Sequence, residues 1–416
     1  MANVYQPWQV FTNRALRILK NQLVFLKGVN RDNENLFAKP GQKSGNTINV
    51  RYPARYVGRT GEGYSPEAYV ESSYPVVIRP LQGVDINLPS TDWTLNIDDT
   101  EKRVLKPAMA QLVNNVERDC MQLAYQGVAN FVGTLNTAPT TANIPLQAAA
   151  YLKNEGAPDD GGAKRLIISP NTNATLVPAL SGLFNPQVKI SDQFEKGVLA
   201  KKTLGWDWYE SQNTWIHTIG PLGGAPAVHG ANQTGSSLIT NGWTAAVGKR
   251  LNKGDIIEIA GVNAVNPMTR AVYGGLRHFV VTADVYSDGS GNATIPIFPS
   301  IVPAPLAFAT VDSIPADTAL ISVFGTAAAG QGAIAGTTSA QCLGYHPDAF
   351  TFAGVSQEVP KGSTEMAYEA TDPDTGIQLR FVRQYIGTQN LYVNRFDVLY
   401  AFGVPYGQLA VRMQSN

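Results

Sequence analysis

The sequence predicts an α+β protein with an all-β module inserted into a mixed domain. Three observations carry this expectation. Residues 97–132 hold one long apolar helical face. Alternating apolar and polar stretches lie on both sides of it. Between residues 221 and 345, short strand patterns recur about every ten residues, the spacing of a sandwich or barrel. At 416 residues, the chain has room for two or three compact units of roughly 100–200 residues each.

The N-terminal stretch "QVFTNRALRILKNQLVFLK" (9–27) places Phe11, Leu16, Leu19, Leu23 and Leu26 on one helical face. It predicts an amphipathic helix that docks on its own domain or on a neighbour. Residues 39–92 then switch to strand periodicity. "NTINVRYPARYVGRT" goes out, "GEGYSPEAY" turns, and "YPVVIRPLQGVDINLPS" returns, with Gly and Pro at both ends. A long two-stranded arm of this kind is marginal alone in water and needs a surface to lie on. It carries Arg51, Arg55, Arg59 and Arg79.

The helix over 97–132 has Asp98 or Asp99 as cap and Glu101 at the positive end of its dipole. Pro107 marks its start or a kink. Met109, Leu112, Val113, Val116, Cys120, Leu123, Val128 and Phe131 form its apolar face, and Gly133 ends it. A rod of about 25 residues spans about 37 Å. In the mixed region that follows, "AKRLIISP" is a buried strand and "NTNATLVPALSGLF" a short helix capped by Asn171. The segment 221–345 is rich in Gly, Ala, Thr and Ser, with five basic and six acidic residues. Its strands centre on "SLITNGW", "GDIIEIAGV", "RHFVVTADVY", "ATIPIFPSI" and "TALISVFG". The mixed pattern resumes at "HPDAFTFAGV", with further strands in "GIQLRFVRQYI" and "NRFDVLYAFGVPY". A β module thus interrupts an α/β domain, as an insertion at a loop can.

Charge narrows the function. Thirty-two basic residues balance 32 acidic ones, so the excess of positive charge expected of a phosphate-neutralising protein is missing. Only 15% of residues are charged, against about 25% in typical domains. With 44% hydrophobic residues, this points to surface buried against copies of the same chain. Cys120 and Cys342 are too few for a disulfide framework and have no metal-binding spacing; Cys120 is expected as a buried thiol. The start lacks a signal-peptide pattern, and no run of 18 apolar residues occurs, so a soluble protein made in the cytoplasm is expected.

The chemistry-bearing motifs are weak. His217, His229, His278 and His346 are scattered, with no HExxH or HxxxH spacing. There is no GxSxG elbow and no GxxxxGK[ST] loop. "GQGAIAG" (330–336) has the wrong spacing for a dinucleotide loop. Asp372 and Asp374 in "TDPDTG" suit a turn better than a calcium site, and Asp159 and Asp160 also sit in a turn. A nucleic-acid-binding barrel would need a basic groove interleaved with aromatics, and Lys249, Arg250, Lys253, Arg270 and Arg277 are a thin set. No catalytic residue, metal site or cofactor is expected.

The order of parts resembles the major capsid proteins of tailed phages, which share the HK97-like fold, and within them the P22-type coat proteins with their inserted β-barrel. The segments that carry it are "GNTINVRYPARY", "LNIDDTEKRVLKPAMAQLVNNVERD", "LGWDWYESQNTWIHTIG", "KGDIIEIAGVNAVNP", "GYHPDAFTFA" and "NRFDVLYAFGV", together spanning nearly the whole chain. The resemblance implies an N-terminal arm (1–38), an E-loop hairpin with peripheral-domain strands (39–92), a spine helix (93–133), an axial domain (134–220 and 346–385), the inserted barrel (221–345) and a C-terminal peripheral strand (386–416). It implies a shell of pentamers and hexamers in the virion, assembled in the host cytoplasm. The partners implied are a separate scaffolding protein, a portal protein and double-stranded DNA held without sequence readout, with no membrane. Arg51, Arg55, Arg59, Arg79, Phe11 and Leu16 are the candidate inter-subunit contacts, because arm and hairpin have no core of their own and guanidinium groups suit carboxylates of a neighbour. An encapsulin-like compartment of related fold and a ligand-binding β module are the alternatives.

Overall fold

The computed structural model describes residues 7–32, 46–52, 55–58, 61–64, 66–67, 73–89, 104–158, 164–180, 203–324, 335–360, 365–388 and 391–415. Helices among them are α1 (Pro7–Gln22), α2 (Lys106–Gly127), α3 (Asn143–Asn154) and α4 (Pro170–Leu180). The first strands are β1 (Thr47–Arg51), β2 (Ser73–Val77), β3 (Gln82–Pro89), β4 (Phe131–Val132), β5 (Arg165–Ile168), β6 (Asp207–Glu210) and β7 (Ile216–Thr218). Then come β8 (Gly224–Val228), β9 (Gly235–Trp243), β10 (Gly248–Leu251), β11 (Ile256–Val265), β12 (Val272–Val281), β13 (Val285–Ser287), β14 (Ala293–Ile301) and β15 (Ile321–Val323). The last are β16 (Thr338–Tyr345), β17 (Thr351–Gly354), β18 (Glu365–Thr371), β19 (Gln378–Ile386), β20 (Leu391–Val398), β21 (Tyr400–Gly403) and β22 (Ala410–Gln414). The class is α+β, as the sequence predicts.

The chain divides into two compact units. The first comprises Met1–Arg51, Ser73–Met121 and Phe350–Pro405; the second comprises Tyr52–Ser72, Gln122–Ala349 and Tyr406–Asn416.

In the first unit an antiparallel sheet runs β18-β19-β20-β3, beside the pairs β1-β2 and β17-β21. Helix α1 packs on β18 and β19. Leu16, Leu19, Leu23, Phe25 and Leu26 are buried. The Phe25 ring lies 5.6 Å from Phe350 and 5.9 Å from Phe402. The N-terminal segment therefore has a core within its own unit, unlike the coreless arm expected. Its apolar face found strands distant in sequence to cover it. Among the described residues the hairpin pairing runs five residues on each side, from Thr47↔Val77 to Arg51↔Ser73. Gly403 lets β2 lie close, because a Cβ there would sit 2.8 Å from Val76 Cγ2.

Helix α2 is shorter than the apolar periodicity implies. Pro107 falls in its first turn, where a missing N–H costs nothing. Its 22 residues span about 33 Å. It stops at Gly127 rather than Gly133, because Phe131 and Val132 pair with Arg412 and Met413. The expected caps Asp98 and Asp99 lie outside the described residues, as do Asp159, Asp160 and most of "GQGAIAG".

In the second unit a mixed sheet runs β4-β22-β16-β5-β6, and β7 pairs with the start of β16. β22 is antiparallel to β16 and parallel to β4. The stretch 386–416, expected as one peripheral strand, thus contains β20 and β21 of the first unit and β22 of the second. Leu166, Ile168, Trp206, Trp208, Cys342 and Met413 form the core beneath α3 and α4. Gly344 leaves room for Trp206, whose Cη2 would lie 2.7 Å from a Cβ there. Helix α4 is capped by Ser169, not Asn171: the Ser169 hydroxyl accepts from the Thr172 N–H at 3.1 Å, and Pro170 takes the first helical position.

The same unit contains the barrel. Its strands run β15-β11-β12-β14-β9-β8. The Ala227↔Leu320 bridge and the Val228 N–H donated to Ala319 O close β8 onto the segment entering β15. Leu238, Ile257, Ile259, Phe279, Val281, Ile295 and Ile297 fill the interior. β16 falls within the 221–345 range expected for the insert but pairs with the terminal strand β22.

Candidate assembly site

The six residues expected at subunit contacts meet different fates. Leu16 is buried in its own unit. Phe11 lies on α1, its side chain outside the described set, and Arg59 is outside the described residues altogether. Arg51 ends β1 and is exposed. Arg55 sits beyond the paired residues, with its guanidinium 5.7 Å from the Phe308 ring centroid. Burial lowers its pKa, and Glu155 and Tyr406 oppose that shift. Arg79 is committed within the first unit. Its Nε and Nη2 donate to both oxygens of Asp119 on α2, at 3.0 and 2.7 Å. Tyr400 Oη donates to the same carboxylate at 2.7 Å. The hydrogen bond to Asp119 raises the Arg79 pKa. Burial alone would raise the Asp119 carboxyl, but Arg79 and Tyr400 hold it below its ordinary value.

What the hairpin does present is aromatic. Tyr64 is 89% exposed and Tyr56 56% exposed, with Val57 beside it. The turn around them is braced: the N–H groups of Val57 and Gly58 both donate to the Glu67 carboxylate at 2.7 Å. Arg270 Nη2 donates to Tyr56 O at 2.8 Å.

Sequence reasoning missed the buried charges that fix each unit. Glu117 on α2 accepts from the N–H groups of Val24 and Phe25, at 2.5 and 2.9 Å, and so pins the end of the N-terminal segment. Its signal was legible, because Val113, Glu117 and Met121 share one line along the helix. In the second unit Arg412, fully buried, donates through Nε and Nη2 to Val128 O just past α2, and through Nη1 to Gly254 O in the turn entering β11. Burial pushes its pKa down to about 9, with Asp255 opposing. Asp255 accepts from the N–H groups of Gly220 and Asn252 and pairs with His217 at 2.7 Å. Here the signal was one arginine within "AVRMQ", a strand buried at every position. Arg277 and Tyr273 both donate to Glu155 at the end of α3. Burial opposes the Arg277 charge, and Glu155 outweighs it.

Asp372 turns out to organise a turn, accepting from the Thr375 N–H at 3.0 Å. Among the described residues, no group of three potential ligands is placed to hold a metal ion. No described helix is long and apolar enough to cross a membrane.

Comparison with known proteins decides what this architecture belongs to. The family model described as P22 coat protein, gene protein 5, matches residues 2–406. The chain belongs to the P22 coat protein family. This membership makes the chain a major capsid protein that forms the shell of a phage head, part of the virion. It resolves the choice between a phage coat and a compartment shell. No curated protein matches. Similar solved structures include that of Mycobacterium phage Che8, at 10% identity and TM-score 0.44, covering 94% of this chain and 90% of the other. The capsid of Ralstonia phage GP4 matches at 9% identity and TM-score 0.44, covering 94% and 87%. A virus-like particle from Pyrococcus furiosus matches at 9% identity and TM-score 0.34, covering 96% and 98%. The assignment rests on the family match.

Proposed function

We propose that this P22-family coat subunit tiles an icosahedral head as pentamers and hexamers, and that its hairpin supplies a principal contact between neighbours. The observation that supports this reading is the exposed, braced tip around Tyr56 and Tyr64 at the end of a five-residue pairing. Such a tip gains burial only from another surface, and heterologous contacts repeat until the rotation closes. Arg51, exposed at the end of β1, stays a candidate contact; Arg79 and Leu16 serve the subunit itself. The inserted barrel steadies the subunit, and its boundaries follow the strands from β8 to β15. The role is structural, without catalysis. A separate scaffolding protein guides curvature, a portal occupies one vertex, and packaged DNA is enclosed by a wall of low charge that does not grip phosphate tightly.

Negative-stain electron microscopy of the purified chain over a concentration series tests this reading. Curved sheets, capsomers or irregular shells are the expected products. Uniform, closed, correctly sized shells from the chain alone would overturn the need for a scaffold. A Tyr64→Ser variant that assembles as well as the parent would overturn the role of the tip.

A further inference from the structure

His278, on β12 of the barrel, is 8% exposed in its side chain. Nδ1 lies 3.3 Å from the backbone nitrogen of Phe131, the first residue of β4, and Nε2 lies 2.9 Å from Glu258 Oε1 on β11. The ring stacks on Tyr151 of α3, with centroids 5.7 Å apart and planes 12° apart, and meets Phe324 edge-on at 5.2 Å. A backbone N–H can only donate. The bond to Phe131 therefore requires a lone pair on Nδ1, which places the single ring proton on Nε2, donated to Glu258.

The titratable surroundings are Tyr151 of α3 and Glu155 just after it, Glu258 from β11, and Tyr273 and Arg277 from β12 itself, with Arg55 reaching Glu155 from outside these elements; Phe131 and Phe324 bring none. Burial pushes the Tyr151 pKa up to about 12, with Arg277 lowering it and Glu155 and Glu258 raising it. The ring stacked on His278 thus senses two carboxylates against one guanidinium.

We propose that His278 is a protonation-controlled link between the barrel and the exit of the spine helix. In its neutral form the ring ties β12 to Phe131. A second proton, drawn from solvent to Nδ1, keeps the bond to Glu258. It also sets N–H against N–H at Phe131, and that tie opens. The barrel's own β11-β12 pairing is untouched, so acid loosens the junction while the module stays folded. Histidine suits this role because its two ring nitrogens hold either one proton or two.

The test is amide exchange at Phe131 in the full-length, unassembled chain, expressed as a protection factor corrected for intrinsic pH dependence, at pH 7.5 and 5.0. In the parent, protection at Phe131 should fall about tenfold on acidification, the scale of one lost hydrogen bond. Val281 within the barrel should hold its protection. In His278→Asn, whose side-chain oxygen can take the acceptor position of Nδ1, protection at Phe131 should stay level between the two pH values. Equal protection at Phe131 in the parent at both pH values would overturn the proposal, as would an equal fall in parent and His278→Asn.

Discussion

The barrel and the hairpin are both antiparallel β structure in one chain, yet they solve the edge problem in opposite ways. The barrel closes: β8 meets the segment entering β15, and large side chains fill the space inside. The hairpin stays open, with five paired residues per strand and its apolar side chains facing outward at the tip. The base of the hairpin buries Val50 and Val76 against Ala401, while Tyr56 and Tyr64 beyond it stay exposed. On the proposed reading, stability of the subunit and assembly of the shell draw on different parts of the same chain, and substitutions should separate them.

The largest effect is expected where the barrel meets the mixed sheet. Arg412→Met removes the donors to Val128 O and Gly254 O and leaves Asp255 without its nearby cation, so unfolding free energy should drop by about 3–5 kcal/mol. A urea melt of the unassembled subunit reads it. A loss below 1 kcal/mol would mean that this junction does not hold the unit together.

Next comes the barrel interior. Ile257→Ala, at a fully buried position, should cost about 2–5 kcal/mol and raise exchange throughout β8 to β15 while leaving β18 to β20 unchanged. Loosening that spread equally into the first unit would break the separation drawn above.

A smaller effect falls in the first unit. Asp119→Asn replaces the charged acceptor of Arg79 and Tyr400 and should cost about 1.5–3 kcal/mol at neutral pH. The sign with pH follows from the lowered carboxyl. Its contribution is complete above the ordinary carboxylate range and fades as pH falls through the folded value. The parent should lose stability below about pH 4, and the variant should show a flatter profile over that interval.

The smallest effect on the subunit belongs to the hairpin tip. Tyr64→Ser should change unfolding free energy by less than about 0.5 kcal/mol, because the ring is almost wholly exposed. Its consequence should appear in shell yield by electron microscopy. A large loss of subunit stability would place the tip on the wrong side of the comparison.

What the sequence made legible follows the same division. The closed barrel could be read because its strands recur at short, even spacing and alternate cleanly. Helix α2 could be read from Met109, Leu112, Val113, Val116 and Cys120, but its end could not, because Phe131 continues the helical period while serving a strand. The pairing of β4 with β22 joins residues some 280 positions apart, as the Asn130 bond to Ala410 O illustrates, and no local pattern encodes it. The arginines misled for a related reason. A basic residue on an arm looks the same in sequence whether it faces a neighbour or, like Arg79, finds an aspartate on α2. The exposed tyrosines of the tip were in plain view, but composition alone does not distinguish an outward aromatic from a core one.

The position of β22 also sets an order of events during synthesis. It fills the gap between β4 and β16, which cannot pair with each other across the width of a missing strand. Every barrel strand leaves the ribosome before β22 does. A nascent chain can therefore carry a finished barrel beside a sheet that is split down the middle, with two open edges available to any other strand nearby. During that interval both edges carry unpaired backbone groups that another strand can match.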